Sequence, residues 1–325
     1  MEVHHTFFDL TVQNIYMIDL RRVQVLRVVD QVGTVTAAAR LLHLTPSAVS
    51  QQLRTLARDV GVDLLVPDGR GVRLSPAAHA LLRHADEIAE RWENARAELL
   101  DEADQPPGAL AVGGIPSSLD MVVAPAVADL TRSEPRMRVR ISEVETTDAF
   151  EHVLSGELDV AVFVPNRDCP PTDDPRFEQD HLLEVPQDLL VPAGHPLVGE
   201  PDVTLDRAAH EPWILPAPDS CDQHELALLA CTQAGFRPTV AHEAREWAAT
   251  AALVGHGLGV ALVPRLVRIP EGLNAVRVPL ADPAAPRRRL LTCIRRGSGS
   301  QRAIGLGLSA LAAAAGRAVA EPVTT

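Results

Sequence analysis

Residues 43–57 read HLTPSAVSQQLRTLA. Thr45 fits a helix N-cap and Pro46 the first helical position, where a missing N–H costs nothing. Ala48, Val49, Leu53 and Leu56 then share one apolar stripe at helical spacing. The other face presents Ser47, Ser50, Gln51 and Arg54. Near a helix N-terminus the macrodipole favours an anion, and such side chains reach phosphates or base edges. Upstream, Leu20, Val23, Leu26, Val29 and Val32 recur at helical spacing behind Asp19, and Gly33 ends that run. Thr34 or Thr36 is placed to cap a second helix over TAAARLL. Two short helices joined by about three residues, the second polar outward, make a helix-turn-helix. A helical hairpin with a solvated face fits the same spacing. Downstream, GVDLLVPDGRGVRLSPAAH (61–79) gives two extended runs around Asp68-Gly69-Arg70-Gly71, the hairpin of a winged helix.

The 325-residue chain carries a net charge of −13, which argues against a protein that coats nucleic acid along its whole surface. Charge is unevenly spread, however. Ile18–Ala80 holds eight arginines against five aspartates, a surplus of three that leaves −16 on the remainder. A basic head therefore sits on an acidic body. Lysine is absent, so all 30 Lys+Arg positions are arginine, and aromatics make up only 3% of the chain, so the core is built mainly from Ala, Val and Leu. The length suits two or three units. Residues 1–16 match nothing that follows and Met17 opens the patterned sequence, so 1–17 read as a disordered leader or a misassigned start, with a functional arm as the competing reading. No export signal or membrane span is evident, and the four cysteines lack metal spacing, which points to a cytoplasmic protein with reduced thiols.

SPAAHALLRHADEIAERWENARAELLDEA (75–103) reads as one long helix ending before Pro106-Pro107-Gly108. Leu81, Ala85, Ile88, Trp92, Ala95 and Leu99 follow the alternating four-and-three spacing of a coiled-coil seam, so the helix is expected to dimerise; packing on its own domain is the competing reading. Beyond it, extended apolar runs alternate with helical patterns, from ALAVGGI to the closing GLGLSALAAAAG, which indicates βαβ units and a mostly parallel sheet in two similar lobes. Ser117, Ser118, Thr146, Thr147 and Ser220 stand where strands hand over to helices. Each is a plain N-cap or part of a site for a carboxylate or phosphate.

The run GTVTAAARLLHLTPSAVSQQLRTLARDVG followed by LLVPDGRGVRLSPAA resembles the DNA-binding domain of the LysR-type transcriptional regulators. The resemblance implies Thr34 and Thr36 with Ala38-Ala39 on the scaffold helix, Val49 and Leu53 in the core, Ser47, Ser50 and Gln51 facing DNA, and Arg70 in the wing. This chain departs from the family at Ala57, Leu65, Pro67 and Ala78, where Glu, Phe, Arg and Gly are usual. Loss of an arginine at position 67 removes one phosphate contact. GELDVAVF, GHPL and LVGHGLGVALVP resemble phrases of the family's effector-binding domain, so the likeness spans about Ile18 to Gly316.

The implied architecture is an N-terminal all-α winged helix-turn-helix (18–75), a long coiled-coil linker helix (76–105), and a two-lobed α/β domain of the periplasmic-binding-protein type. Lobe I comprises 108–164 and 265–316, lobe II 165–264, and 317–325 a tail. The chain would cross between lobes near Val164 and Pro264, with a small, anionic effector held between them. The partners implied are double-stranded promoter DNA, that effector, a second copy or a tetramer of this chain, and RNA polymerase, with no membrane. A solute-binding protein could share the bilobal body, a protein partner could replace the effector, and Cys221 with Cys231 could sense oxidation. GHGLG (255–259) lacks the context of a dinucleotide fingerprint, HEARE (242–246) lacks a second zinc-protease histidine, and no GxSxG is present. No catalytic group, metal or cofactor is expected.

Overall fold

The computed structural model describes residues 19–69, 71–102, 108–218, 222–281 and 285–320. Arg70, Ser220, Cys221 and the leader 1–17 lie outside the described residues. Two compact units divide at Arg91/Trp92.

In the first unit, α1 (Leu20–Val32) is capped by Asp19, whose carboxylate accepts from Arg21 N at 3.0 Å, and ends at Gly33 with φ 71°. Of the two threonines able to cap α2 (Val35–Leu41), Thr34 does so, its Oγ1 accepting from Ala37 N at 3.1 Å. α3 (Pro46–Val60) starts with Thr45 Oγ1 accepting from Ala48 N at 3.2 Å and with Pro46 in its first turn. His43, at φ 52°, takes the left-handed conformation between α2 and α3 that glycine usually supplies. Val49, Leu53 and Leu56 pack with Val23, Leu26 and Val29 of α1 and Ala38-Ala39 of α2. The alanines are fully buried where the helices meet.

The hairpin β1 (Leu65–Asp68) and β2 (Gly71–Leu74) is antiparallel, with Leu65 opposite Leu74. Ser75, buried, joins it to α4 (Pro76–Glu102): its Oγ donates to Asp63 O at 2.7 Å and accepts from Ala78 N at 3.1 Å. The long helix expected at 76–105 is present as α4, described as far as Glu102. The start of α4 belongs to the head, with Ala78, Leu82 and Ala85 in its core and Leu81 against it. Beyond Arg91 the helix belongs to the second unit, where Glu93 accepts from Arg295 Nε at 3.1 Å and Gln301 Nε2 at 2.6 Å. Only part of the expected seam is therefore outward: Ile88, Trp92 and Leu99 are exposed, and Ala95 is half-buried.

In the second unit β3 (Ala109–Gly114) leads into a continuous helical run: α5 (Pro116–Ser118), a π-helical turn over Leu119–Val123, and α6 (Ala124–Ser133). Next come β4 (Arg138–Glu143), α7 (Thr146–Ser155), β5 (Val160–Phe163) and the 16-residue β6 (Phe177–Pro192). β7 (Pro212–Leu215), α8 (Asp222–Gln233), β8 (Thr239–Glu243), α9 (Trp247–Gly255), β9 (Ala261–Pro264), β10 (Ala275–Val278), β11 (Arg287–Arg295) and α10 (Arg302–Ala320) complete it.

The main sheet runs β10-β6-β11-β5-β3-β4, with β9 also on β6. β3 pairs in parallel with β4 and β5, whereas β6, β9, β10 and β11 make antiparallel pairs, so the sheet is mixed rather than mostly parallel. β6 serves both lobes. Its first part, Phe177–Pro186, pairs with β11; its second, Gln187–Pro192, pairs with β9 and β10. The crossings therefore fall at Pro186/Gln187 and at Pro286/Arg287, where Gln187 N donates to Pro286 O at 2.8 Å, and not near Val164 and Pro264. At the first crossing an extended strand passes without a turn, so no break in composition marks it.

The side chains of β6 alternate accordingly: Leu183 and Val185 enter one lobe-I core, and Leu189 and Val191 enter the core of lobe II beside Trp213. Trp213 is fully buried, with its Nε1 donating to Ala208 O at 3.1 Å. Gly257 (φ 74°) and Gly259 (φ 154°) confirm GHGLG as a backbone turn. α10 meets the length and hydropathy of a membrane span (19 residues, mean hydropathy 1.6), which corrects the expectation that no segment does. Here its Ile304, Leu311, Ala314 and Ala315 pack into the lobe-I core. It also runs to Ala320, into the expected tail.

Candidate functional site

α3 buries one stripe and leaves Ser47, Gln51 and Arg54 exposed and Ser50 half-buried; Thr34, Thr36, Thr45 and Pro46 are exposed as well. Thr45 Oγ1 lies 3.0 Å from Ser47 Oγ, and Arg54 Nε donates to Ser50 O at 3.2 Å. Two of the head's arginines have structural duties: Arg22 pairs with Asp59 at 2.6 Å, and Arg27 pairs with Asp86 of α4. Arg21, Arg40, Arg54, Arg58 and Arg73 form no ion pair with the described residues. The positive surplus is thus left to solvent or an outside anion.

In the second unit a cleft of about 460 Å³ opens between the lobes. Ser117, Thr146 and Thr147 line it, as the strand-to-helix handovers suggested. Ser118 does not: it is fully buried and its Oγ donates to Ile115 O at 2.8 Å. Val164 lies outside the lining, and its carbonyl accepts from Thr146 Oγ1 at 3.5 Å. The residues that dominate the cleft were not singled out from the sequence.

Arg288 of β11 is 4% exposed, and Asp222 stands at the start of α8 in lobe II. Arg288 Nε and Nη2 donate to the two Asp222 oxygens at 2.8 and 2.6 Å, and Nη1 donates to Ser117 Oγ at 2.9 Å. Its guanidinium lies 5.9 Å from the ring centre of Trp247, another lining residue. At the rim Arg245 pairs with Glu145 of the other lobe, and Arg167 lies 3.1 Å from Glu225. Beneath them Gln223, 2% exposed, donates to Gln187 Oε1 at 2.7 Å and Leu262 O at 3.1 Å.

Among the described residues the lining has five carboxylates (Glu145, Asp168, Asp222, Glu225, Glu246) against three guanidiniums. Each of the three guanidiniums lies within 4 Å of a carboxylate. One signal for Arg288 was present in RRRLL: period two along a strand sends the middle arginine inward while Arg287 and Arg289 stay exposed. Among the described residues no cluster of His, Cys, Asp or Glu is suited to a metal.

A helix-turn-helix with a hairpin wing, joined to a bilobal body with a polar cleft, defines a DNA-binding regulator of ligand-responsive type. Residues 20–79 match the bacterial regulatory helix-turn-helix protein, lysR family, and 103–315 match the LysR substrate binding domain. The chain belongs to the LysR family of bacterial transcriptional regulators. It is 30% identical over 268 residues to a probable hydrogen peroxide-inducible genes activator of Mycobacterium avium, covering 81% of this chain and 84% of that one. It is 30% identical over 252 residues to the Hca operon transcriptional activator of Escherichia coli, covering 76% and 81%. Among solved structures, the LysR family regulator HinK of Pseudomonas aeruginosa shares the fold at TM-score 0.58 and 21% identity, over 93% of this chain and 100% of that one.

Proposed function

We propose that α3 enters the major groove of promoter DNA, with Ser47, Ser50 and Gln51 at the bases and Thr34, Thr36, Thr45, Pro46 and Arg54 along the backbone. The carrying observation is the division of α3 into a buried apolar stripe and an exposed polar face that begins at a capped N-terminus. The exposed Ile88, Trp92 and Leu99 of α4 meet a second copy, which sets two heads on two half-sites. A dimer or tetramer acts in the cytoplasm, contacts RNA polymerase, and changes its hold on DNA when a small molecule fills the cleft. The effector need only bind two arrangements of the body unequally. The protein does no catalysis in this reading.

Oxidation sensing through Cys231 is disfavoured, because burial pushes its thiol up to about 12 and suppresses the reactive thiolate. A footprint of the purified protein on its own promoter, at fixed salt, tests the proposal. Protection of that site over random duplex is expected, and equal affinity for both overturns it.

A further inference from the structure

We infer that Asp222 is a built-in carboxylate ligand: it fills an anion seat that Arg288 and Ser117 form inside the cleft, and so closes that seat to small carboxylates from solvent. This rests on the cleft being the effector site, and it makes Asp222 the residue that decides whether a carboxylate is read there. The seat belongs to lobe I, since Arg288 lies on β11 and Ser117 on α5. Both line the cleft, yet they are only 4% and 7% exposed. The carboxylate that fills the seat comes from lobe II, at the start of α8. Arg288 Nε and Nη2 donate to its two oxygens at 2.8 and 2.6 Å, which leaves Nη1 for Ser117 Oγ at 2.9 Å. This parallel fork is the way a guanidinium grips any carboxylate, so a free one would sit in the same place.

Two features keep Asp222 in the seat. Gln223, the next residue of α8, donates to Gln187 Oε1 at 2.7 Å and Leu262 O at 3.1 Å, which fixes the start of that helix against β6 and β9. Trp247 packs with the lobe-I core and with a lobe-II cluster, and its ring centre lies 5.9 Å from the Arg288 guanidinium. An outside carboxylate would have to break two charge-assisted bonds and leave Asp222 buried without its counterion, a cost the exchange does not return. A tethered carboxylate also competes at a local concentration that a free one matches only in the millimolar range or above. Asp222 itself lines the cleft, with a side chain 10% exposed, so truncating it leaves a charged, preformed seat facing that space.

The test removes the internal carboxylate and supplies one from solution. Asp222→Ala and Asp222→Ser of the full chain are titrated with sodium formate, against sodium chloride at the same ionic strength, and the urea midpoint is followed on refolding with wild type in parallel. Each variant should gain stability saturably with formate and recover about half or more of the midpoint it lost. Wild type should respond to formate no more than to chloride. A variant that folds only in formate gives the same answer. Asp222→Asn, whose amide still fills the seat, should not respond. An equal response of wild type and the truncated variants, or truncated variants that formate neither stabilises nor folds, overturns the inference. So does a response of Asp222→Asn as large as that of Asp222→Ala, because formate would then act elsewhere. Promoter footprinting of wild type reads the regulator proposal separately, and that proposal falls only if specific DNA binding is absent.

Discussion

Arg288 and Asp222 join the two lobes of the second unit through paired hydrogen bonds of 2.8 and 2.6 Å, with side chains only 4% and 10% exposed. A pair this buried is more informative when broken than when counted, since removing one partner leaves a charge without water or counterion. Asp222→Ala is expected to lower stability by about 3–5 kcal/mol, measured by urea denaturation of the full chain. Asp222→Asn should cost less, because the amide oxygen still accepts from Arg288. Equal stability of wild type and Asp222→Ala would mean that the pair contributes nothing.

On α3, Gln51→Ala and Ser50→Ala should each remove about 1–3 kcal/mol of discrimination between promoter and random DNA, with melting temperature unchanged. Arg54→Ala should weaken both duplexes alike and flatten the salt dependence, as loss of a phosphate contact does. Fluorescence anisotropy over a salt series distinguishes these patterns.

Ser75 closes the head by linking the hairpin to α4. Ser75→Ala removes a buried cap and leaves the Asp63 carbonyl without that donor, at a cost of about 1–2 kcal/mol. Differential scanning calorimetry should show the head's transition lowered. Ser75→Thr should restore most of it.

Trp92 is 62% and Ile88 51% exposed on α4. If a second copy covers them, Trp92→Glu should raise the dimer dissociation constant at least about tenfold, because a charge replaces a large apolar ring. Sedimentation equilibrium is the measurement. An unchanged association state would remove α4 as the interface.

Cys231 and Cys293 are fully buried, and burial raises both thiols from the ordinary value of 9.0, Cys231 to about 12. Neither should react with a thiol reagent at pH 8 until the chain unfolds. Because the folded form holds these protons longer than the unfolded form, their contribution to stability is complete below pH 9 and is lost as pH rises through about 12 for Cys231. Cys231→Ser should reduce that alkaline loss.

Reading from the sequence went furthest where local chemistry decides structure. The caps Asp19, Thr34 and Thr45, Pro46 at a helix start, and the stripe Val49-Leu53-Leu56 are set by neighbours within a few residues, and all stand as expected. Three of the cleft residues, Ser117, Thr146 and Thr147, were reachable because strand-to-helix handovers are local too. Arg288, Asp222, Gln223 and Glu246 were missed. Their roles depend on partners up to 171 positions away, as with Arg288 and Ser117, and no spacing rule connects such residues.

By itself the sequence determined the winged helix-turn-helix and its polar face, the long helix after it, and an α/β body of two lobes. These arise from periodicity and capping, which act along the chain. Only the tertiary structure decided that β6 spans both lobes, that α4 is divided between two units, and that acids outnumber arginines in the cleft. The physical reason is that strand pairing, burial and charge pairing are set between segments distant in sequence, and a side chain's partner cannot be read from its neighbours.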